Sequence, residues 1–281
     1  MLAANFTVYL KPLNLLIMHV QDIYIYPIKS LGGIRLDKAT LLEKGFKHDR
    51  RFMLVDKDGI FLSQRKHPQM AFLQTELSDS GIEVFNRDDP ATRITIHYQA
   101  EYQKTKSVVI WEDRLEAHLV DEEISQWFSD VLGIDSRLVF MSETARRELK
   151  PKYAVNNETV SFADGMPYLL ISQASLNDLN DRLDNPVPMD RFRPNIVISG
   201  GVPFQEDDWD TVEIGDARFK ITKPCARCVV TTINQQNGQK SKEPLTTLST
   251  FRNVNGKVNF GQNMLLLDGN NVCVGDTVKP L

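Results

Sequence analysis

Cysteine is scarce in this chain, with three in 281 residues. That excludes a disulfide scaffold and fits a reducing compartment. It also excludes a four-cysteine iron–sulfur cluster. No paired Cys/His knuckle supplies the further ligands of a structural zinc site. Long apolar runs are missing too. Met1 to Met18 is fairly apolar but carries Asn5, Lys11, Pro12 and Asn14. It falls short of the roughly 20 apolar residues of a membrane span, and it lacks the basic start and small-residue cleavage site of a signal peptide. Residues 1–17 are therefore expected to be an N-terminal extension, with Met18 rather than Met1 as the true start. Excess charge of one sign is absent: the net charge is −4, which gives no case for nucleic acid or an anionic membrane as partner. The expected location is cytoplasmic. No G-x-S-x-G, Walker-type or G-x-G-x-x-G segment occurs, so serine-hydrolase, P-loop and Rossmann chemistry have no support. The five histidines stand singly, without H-E-x-x-H spacing.

What is present is an ordinary globular composition, 42% hydrophobic and 25% charged, with ample material for a core. Short β-branched and aromatic runs recur between turn signals. From His19, the residues Val20, Ile23 and Ile25 read as a strand that ends in the turn chemistry of Pro27–Gly33. Arg51–Asp56 is a second strand, and Ile82–Phe85, Ile94–Tyr98 and Ser107–Ile110 follow. A helix is predicted after Asp121, with Ile124, Trp127, Phe128, Val131 and Leu132 on one face and Gly133 ending it. A second runs from Ser172 to Leu183, with Leu176, Leu179 and Leu183 inward. Strands return at Asn195–Ser199, Thr211–Ile214, Arg218–Ile221, Cys228–Ile233, Met264–Leu267 and Val272–Val274. Residues 140–160 read as an irregular surface loop or a junction. The fold class is mostly β (α+β), a β-barrel-like first half followed by a second β unit, with a few helices in the middle.

Two of the three cysteines lie in K-P-C-A-R-C-V-V-T-T, Lys223–Thr232. Thiolates hold transition metals, and a flanking cation such as Arg227 favours the thiolate form. A thioredoxin-like pair should open a helix, yet Val229–Ile233 are strand formers. The reading left is a single thiolate on or beside a strand. Cys273, between two valines, reads as a small buried hydrophobe. Cations stand at other strand and turn junctions: Lys29 with Ser30 in Y-P-I-K-S, Arg50 and Arg51, Arg65 in S-Q-R-K, and Arg191, Arg193 and Asn195 in R-F-R-P-N. Any one of them is more often an exposed charge or an ion-pair partner. Together they point to an anion site, because arginine grips phosphate in bidentate fashion. Glu206–Asp210 reads as a solvated acidic loop or an interface.

Taken in order, these segments resemble one family, the MOSC-domain proteins, in the branch with an N-terminal β-barrel domain that includes the mitochondrial amidoxime-reducing component and its bacterial relatives. The matching segments are Tyr26–Ser30, Arg50–Val55, Ser172–Leu183, Phe192–Gly200, Glu206–Trp209, Cys225–Thr232, Lys242–Leu248, Phe260–Asn263 and Val274–Asp276. The likeness runs from about His19 to the C-terminus. It implies an N-terminal MOSC-associated β-barrel domain over residues 18–120 and a MOSC domain over residues 121–281. It also implies a molybdenum–molybdopterin cofactor, with Cys228 as metal ligand and catalytic residue. Lys29, Ser30, Arg51, Arg193, Asn195, Ala226 and Arg227 would contact the cofactor. Gly165 and Met166 would approach through backbone. Asn263 stands where some relatives carry an aromatic.

Such a cofactor needs one protein thiolate, fixed cations for its phosphate, and amide groups for the pterin edges, and the chain has these residue types. If the cysteine pair is extended, strand alternation turns Cys225 away from the face that Cys228 takes. The activity implied is molybdenum-dependent reduction of N-hydroxylated compounds such as hydroxylamines, amidoximes and N-hydroxylated bases. Asp164 is a candidate proton donor. Many bacterial relatives carry a further ferredoxin-like domain; here the expected electron donor is a separate flavin, iron–sulfur or haem protein. The alternatives are a cofactor carrier or persulfide sulfur-transfer protein, and an anion-binding module.

Overall fold

A computed structural model describes residues 17–98 and 100–281. The expected extension, residues 1–17, lies outside the described residues except for Ile17. The protein is mostly β, as expected, and centres on a closed seven-stranded barrel. Around the barrel run Tyr168–Ser172, Ile196–Ser199, Met18–Ile25, Thr277–Pro280, Thr211–Ile214, Ala217–Ala226 and Lys257–Asp268, which returns to Tyr168–Ser172. One stave, Met18–Ile25, thus comes from the far end of the sequence. Neighbours are antiparallel except Tyr168–Ser172 and Ile196–Ser199. That parallel pair needs a crossover connection, and helix α2 (Gln173–Asn180) lies in it.

Alternation sets the barrel interior. Along Ala217–Ala226, Ala217, Phe219 and Ile221 are buried while Arg218 points out. They join Val20, Ile23, Ile25, Tyr168, Ile198 and Met264 in one apolar core. Each large side chain buried there contributes roughly 1.5–3 kcal/mol.

Beside the barrel, strands Phe52–Val55, Arg137–Phe140, Asp113–Leu119 and Thr105–Ile110 form an antiparallel sheet. A second sheet joins Leu73–Leu77, Gly81–Asn86 and Asp89–His97. Helix α1 (Glu122–Leu132) buries Ile124, Phe128 and Leu132 against both sheets. Residues 121–140, grouped from sequence with the second domain, therefore pack with the first, because their apolar face finds its partners there. Asp121 holds the N-cap position without a side-chain hydrogen bond, and Gly133 closes the helix at φ +67°. In α2 the Ser172 hydroxyl accepts from the Ser175 N–H at 3.0 Å. A third helix, α3 (Leu245–Phe251), lies in a stretch without a clear sequence pattern.

Three sequence readings are corrected. Cys228–Ile233 is no strand: Val229–Thr232 forms a short 3-10 turn, and the strand before it ends at Ala226. Glu206 is 1% exposed rather than solvated; it accepts from the Ser172 N–H and from the Ser175 hydroxyl at 2.8 Å. Burial pushes its pKa up, more than these hydrogen bonds lower it. Cys273 is half-buried rather than buried, at the edge strand Asn271–Cys273. Residues 140–160 are irregular as expected, yet Arg147 inside them is buried and donates to the carbonyls of Ser161 and Ala163.

Candidate functional site

The barrel and the neighbouring sheets meet at a cleft of about 130 Å³. From the first half come Lys29, Ser30, Arg50, Phe61, Arg65 and Trp111. The barrel side contributes Asp164, Arg193 and the segment Cys225–Cys228. Six basic side chains and one carboxylate face this space: Lys29, Arg50, Arg65, Arg191, Arg193 and Arg227 against Asp164. So many cations in a half-enclosed space, with one carboxylate, favour an anionic ligand.

Local backbone geometry aims them. Ser30, Arg50, Trp111 and Arg193 have φ of +71°, +50°, +56° and +53°. The left-handed region is costly for residues with a Cβ, and such strain gathers at binding sites. These four are half of the eight non-glycine residues with positive φ among those described, and all four line the cleft.

The strained positions are braced from behind. Gln64, 1% exposed, donates to the Ser30 carbonyl at 2.7 Å. Asp49, fully buried, pairs with Arg50 at 2.8 Å. Arg50 and Arg193 both stack on the Tyr26 ring, with guanidinium carbons 4.4 and 4.1 Å from its centroid. Arg65 stacks on Trp111 at 4.1 Å. Arg191 donates to the Thr231 carbonyl at 3.1 Å and so ties down the turn after Cys228.

Lys29 lies under the mouth of the cleft, its side chain 7% exposed, and bonds Asp164 at 2.5 Å. Burial pulls its pKa down to about 8, against the pull of Asp164 in the other direction. The cleft walls desolvate Asp164 and push its pKa up, but Lys29, Arg50 and Arg65 outweigh them and hold the carboxyl below its usual range. With its side chain 70% exposed, solvent screens the pair and it contributes little to stability. Arg193 is held to about 10, chiefly by burial.

Among the described residues, three arginines that line this cleft each bury one nitrogen without a hydrogen-bond partner: Arg65 Nε, Arg193 Nη2 and Arg227 Nε. Unpaired buried donors are costly. Their convergence on one cleft is what an absent anion would satisfy. Two further hollows adjoin: one of about 200 Å³ shares Arg193, and one of about 560 Å³ shares Trp111 and Asp164. An elongated, negatively charged ligand fits this set.

Of the residues singled out in the sequence, Lys29, Ser30, Arg193, Ala226, Arg227 and Cys228 line the cleft together. Arg51 does not. It turns to the opposite side of its strand, donating to the Met141 carbonyl at 2.7 Å and pairing with Glu143 at 2.7 Å. Arg50 faces the cleft instead, because adjacent residues diverge and Arg50 is in the left-handed region. Asn195 is a buried brace: it accepts from the Leu169 N–H at 3.2 Å and from Arg50 at 3.3 Å, and donates to the Tyr24 carbonyl at 3.1 Å. Gly165 lines the adjoining 560 Å³ hollow. Met166 is buried in the core beneath it, and Asn263 donates to the Lys223 carbonyl at 3.4 Å.

Cys225 also lines the cleft, contrary to the alternation argument. Pairing of its strand slips between Pro224 and Ala226, so the period of two breaks at Cys225. Its sulfur accepts from Arg227 at 2.9 Å. Trp111, at a hairpin tip remote from the other motifs, carried no sequence signal.

Fold and cleft together define a two-part β protein with a basic, cysteine-bearing cleft where the parts meet. The sequence patterns of the MOSC N-terminal beta barrel domain and of the MOSC domain match residues 17–135 and 157–279, and the chain belongs to the MOSC family. It is 30% identical to mitochondrial amidoxime-reducing component 1 of Mus musculus, over 92% of this chain and 81% of that protein. It is 31% identical to mitochondrial amidoxime reducing component 2 of Bos taurus, over 83% and 72%. It is also 32% identical to the molybdenum cofactor sulfurase of Oryza sativa subsp. japonica, over 92% of this chain. The chain spans about a third of the length of the cofactor sulfurases it matches, 33% in that case. These relatives support a function tied to the molybdenum cofactor. Among the described residues no helix is long and apolar enough to cross a membrane.

Proposed function

We propose that the protein is a molybdenum-cofactor-dependent reductase of N-hydroxylated compounds, with Cys228 as the protein's metal ligand. The observation that carries this is the cleft with Cys228 in its wall and six basic side chains around it, three of them with a buried nitrogen that has no partner among the described residues. No cluster of three His, Cys, Asp or Glu side chains occurs among the described residues. A metal here would take most of its ligands from a cofactor. Lys29, Ser30, Arg50, Arg193, Ala226 and Arg227 would hold that cofactor, the cations gripping its phosphate. Asn195 acts from behind, by fixing Arg50. Gly165, Met166 and Asn263 belong to the adjoining hollow and its supports.

When bound, the cofactor supplies two-electron oxygen-atom chemistry. Overall, one N–OH group, two electrons and two protons give one N–H group and one water. Asp164 and Lys29, 2.5 Å apart at the mouth, are placed to pass protons between solvent and substrate. Trp111 donates to Asp164 at 3.3 Å. The electrons would come from a separate flavin, iron–sulfur or haem protein.

Elemental analysis tests the reading, on wild type and Cys228→Ala expressed with molybdate in a cofactor-making host. Near-stoichiometric molybdenum in the wild type, little in the variant, and hydroxylamine reduction only by the wild type are expected. Metal-free wild type, or full activity in Cys228→Ala, refutes it.

A second reading, sulfur handling by a cysteine persulfide, is favoured by two observations: Cys225 and Cys228 line the same cleft, and sulfurases are among the relatives. Cyanide-labile sulfur on molybdenum-free protein would select this reading over the first.

A further inference from the structure

Arg51 faces away from the cleft into a separate hollow of about 620 Å³, within the size range of small-molecule sites. Its walls are aromatic. Phe52 and Phe140 pack at 5.0 Å, Tyr102 and Phe140 at 5.7 Å, and Tyr98 stacks on His48 at 5.0 Å. Ile82 and Ile96, both 1% exposed, form an apolar floor. Against this lining stand two buried polar atoms with no partner among the described residues: Arg51 Nε and the Tyr102 hydroxyl. Arg51 is 5% exposed, and its guanidinium carbon lies 5.8 Å from the Phe140 ring centroid.

A hollow walled by aromatic rings, with a guanidinium that has one unpartnered nitrogen and a phenol without a partner at its edge, is a pattern for one kind of ligand. We propose that this hollow is a second small-molecule site, which binds an aromatic monocarboxylate. The ring packs against the Phe52–Phe140 pair, Tyr98 and Tyr102, over Ile82 and Ile96. The carboxylate accepts from Arg51 and from the Tyr102 hydroxyl. Glu143, the one carboxylate lining the hollow, now pairs with Arg51 at 2.7 Å but is 75% exposed; it swings into water when the ligand's carboxylate replaces it. Uncharged apolar ligands would leave both donors unsatisfied. Organic cations are disfavoured by Arg51 and by Lys47, which lines the same space. Because Arg50 and Arg51 are adjacent, the backbone that presents one to the cleft presents the other to this site.

Calorimetric titration of the full chain with 2-naphthoate tests the proposal, with 2-naphthamide as the uncharged comparison. Saturable one-to-one binding of naphthoate with a Kd below ~1 mM is expected, with naphthamide about tenfold weaker. Tyr102→Phe is the informative variant. Its hydroxyl has no partner among the described residues, so the substitution leaves Tm unchanged or raised while naphthoate binding weakens several-fold. Arg51→Met, which also severs the Met141 contact, should lose more affinity and some stability. Arg193→Met should leave naphthoate binding intact. Absence of saturable binding, equal affinity for naphthamide, or loss in Arg193→Met with none in Tyr102→Phe would each overturn the proposal. The last outcome would put the probe in the cleft.

Discussion

Replacing Arg193 by Met separates what the cleft does for the fold from what it does for a ligand. The Arg193 pKa falls from an ordinary 12.5 to about 10, chiefly through burial, with Arg50 lowering it further. At 1.36 kcal/mol for each tenfold change, that is a ceiling of ~3 kcal/mol set against the charged side chain in the empty cleft. Solvent reaching the half-buried side chain takes part of that cost away, and stacking on Tyr26 offsets about another 1 kcal/mol. The net is ~1 kcal/mol in favour of Met, provided the backbone penalty is equal; both residues pay the same at φ +53°. In a chain of this length the gain corresponds to a Tm higher by roughly 2–4 °C. Affinity moves the other way. Loss of a charge-assisted hydrogen bond should weaken sulfate binding about tenfold or more. Calorimetry and sulfate titration of protein made without the cofactor give both numbers. A lower Tm with unchanged sulfate affinity would mean that Arg193 serves the fold, and the anion-site reasoning would fail.

Sulfate binding to the same protein should weaken as pH rises through about 8, where Lys29 loses its proton; Lys29→Met should flatten that profile. For stability the sign is opposite. The folded pKa lies below the ordinary 10.5, so the unfolded chain binds more protons between the two values and the wild type gains stability from pH 8 to pH 10.5. Glu206→Gln should raise Tm at pH 7 and less so near pH 4.5. Burial raises the Glu206 pKa above its ordinary value, so ionisation costs folded stability as pH rises past that value; a Tm that falls equally at both pH values would refute the account. Gly261→Ala should destabilise by ~2 kcal/mol or more in chemical denaturation. At φ +81° an added Cβ would meet Ile171 Cγ1 at 2.6 Å and the Leu170 carbonyl at 2.7 Å, where the barrel closes.

Local signals carried far in this sequence because much of the fold is built from short-range rules. Ser172 caps α2 as its residue type predicts, and Gly133 ends α1 in the left-handed conformation that glycine favours. Strands at Phe52–Val55, Thr105–Ile110, Ile196–Ser199 and Thr211–Ile214 follow from β-branched and aromatic runs between turns. The ordered motifs identified the family, and they contain several of the residues that line the basic, cysteine-bearing cleft. Side-chain direction was another matter. Whether Arg50 or Arg51 enters the cleft depends on a backbone turn at Arg50 that the neighbouring Asp49 braces together with Tyr26 and Asn195 from distant parts of the chain. Cys225 joins Cys228 only because the pairing with Lys257–Asp268 slips beside it. Glu206, in a run of acids that looks solvated, is buried because α2 presents Ser172 and Ser175 to it. Trp111 meets Asp164 from a position 53 residues earlier in the chain, and Met18–Ile25 completes a barrel whose other staves begin at Tyr168. Composition and periodicity determined which elements form and which residue types cluster. Tertiary pairing alone decided which atoms meet, because non-local contacts select among side-chain directions that the local sequence leaves nearly equal in energy.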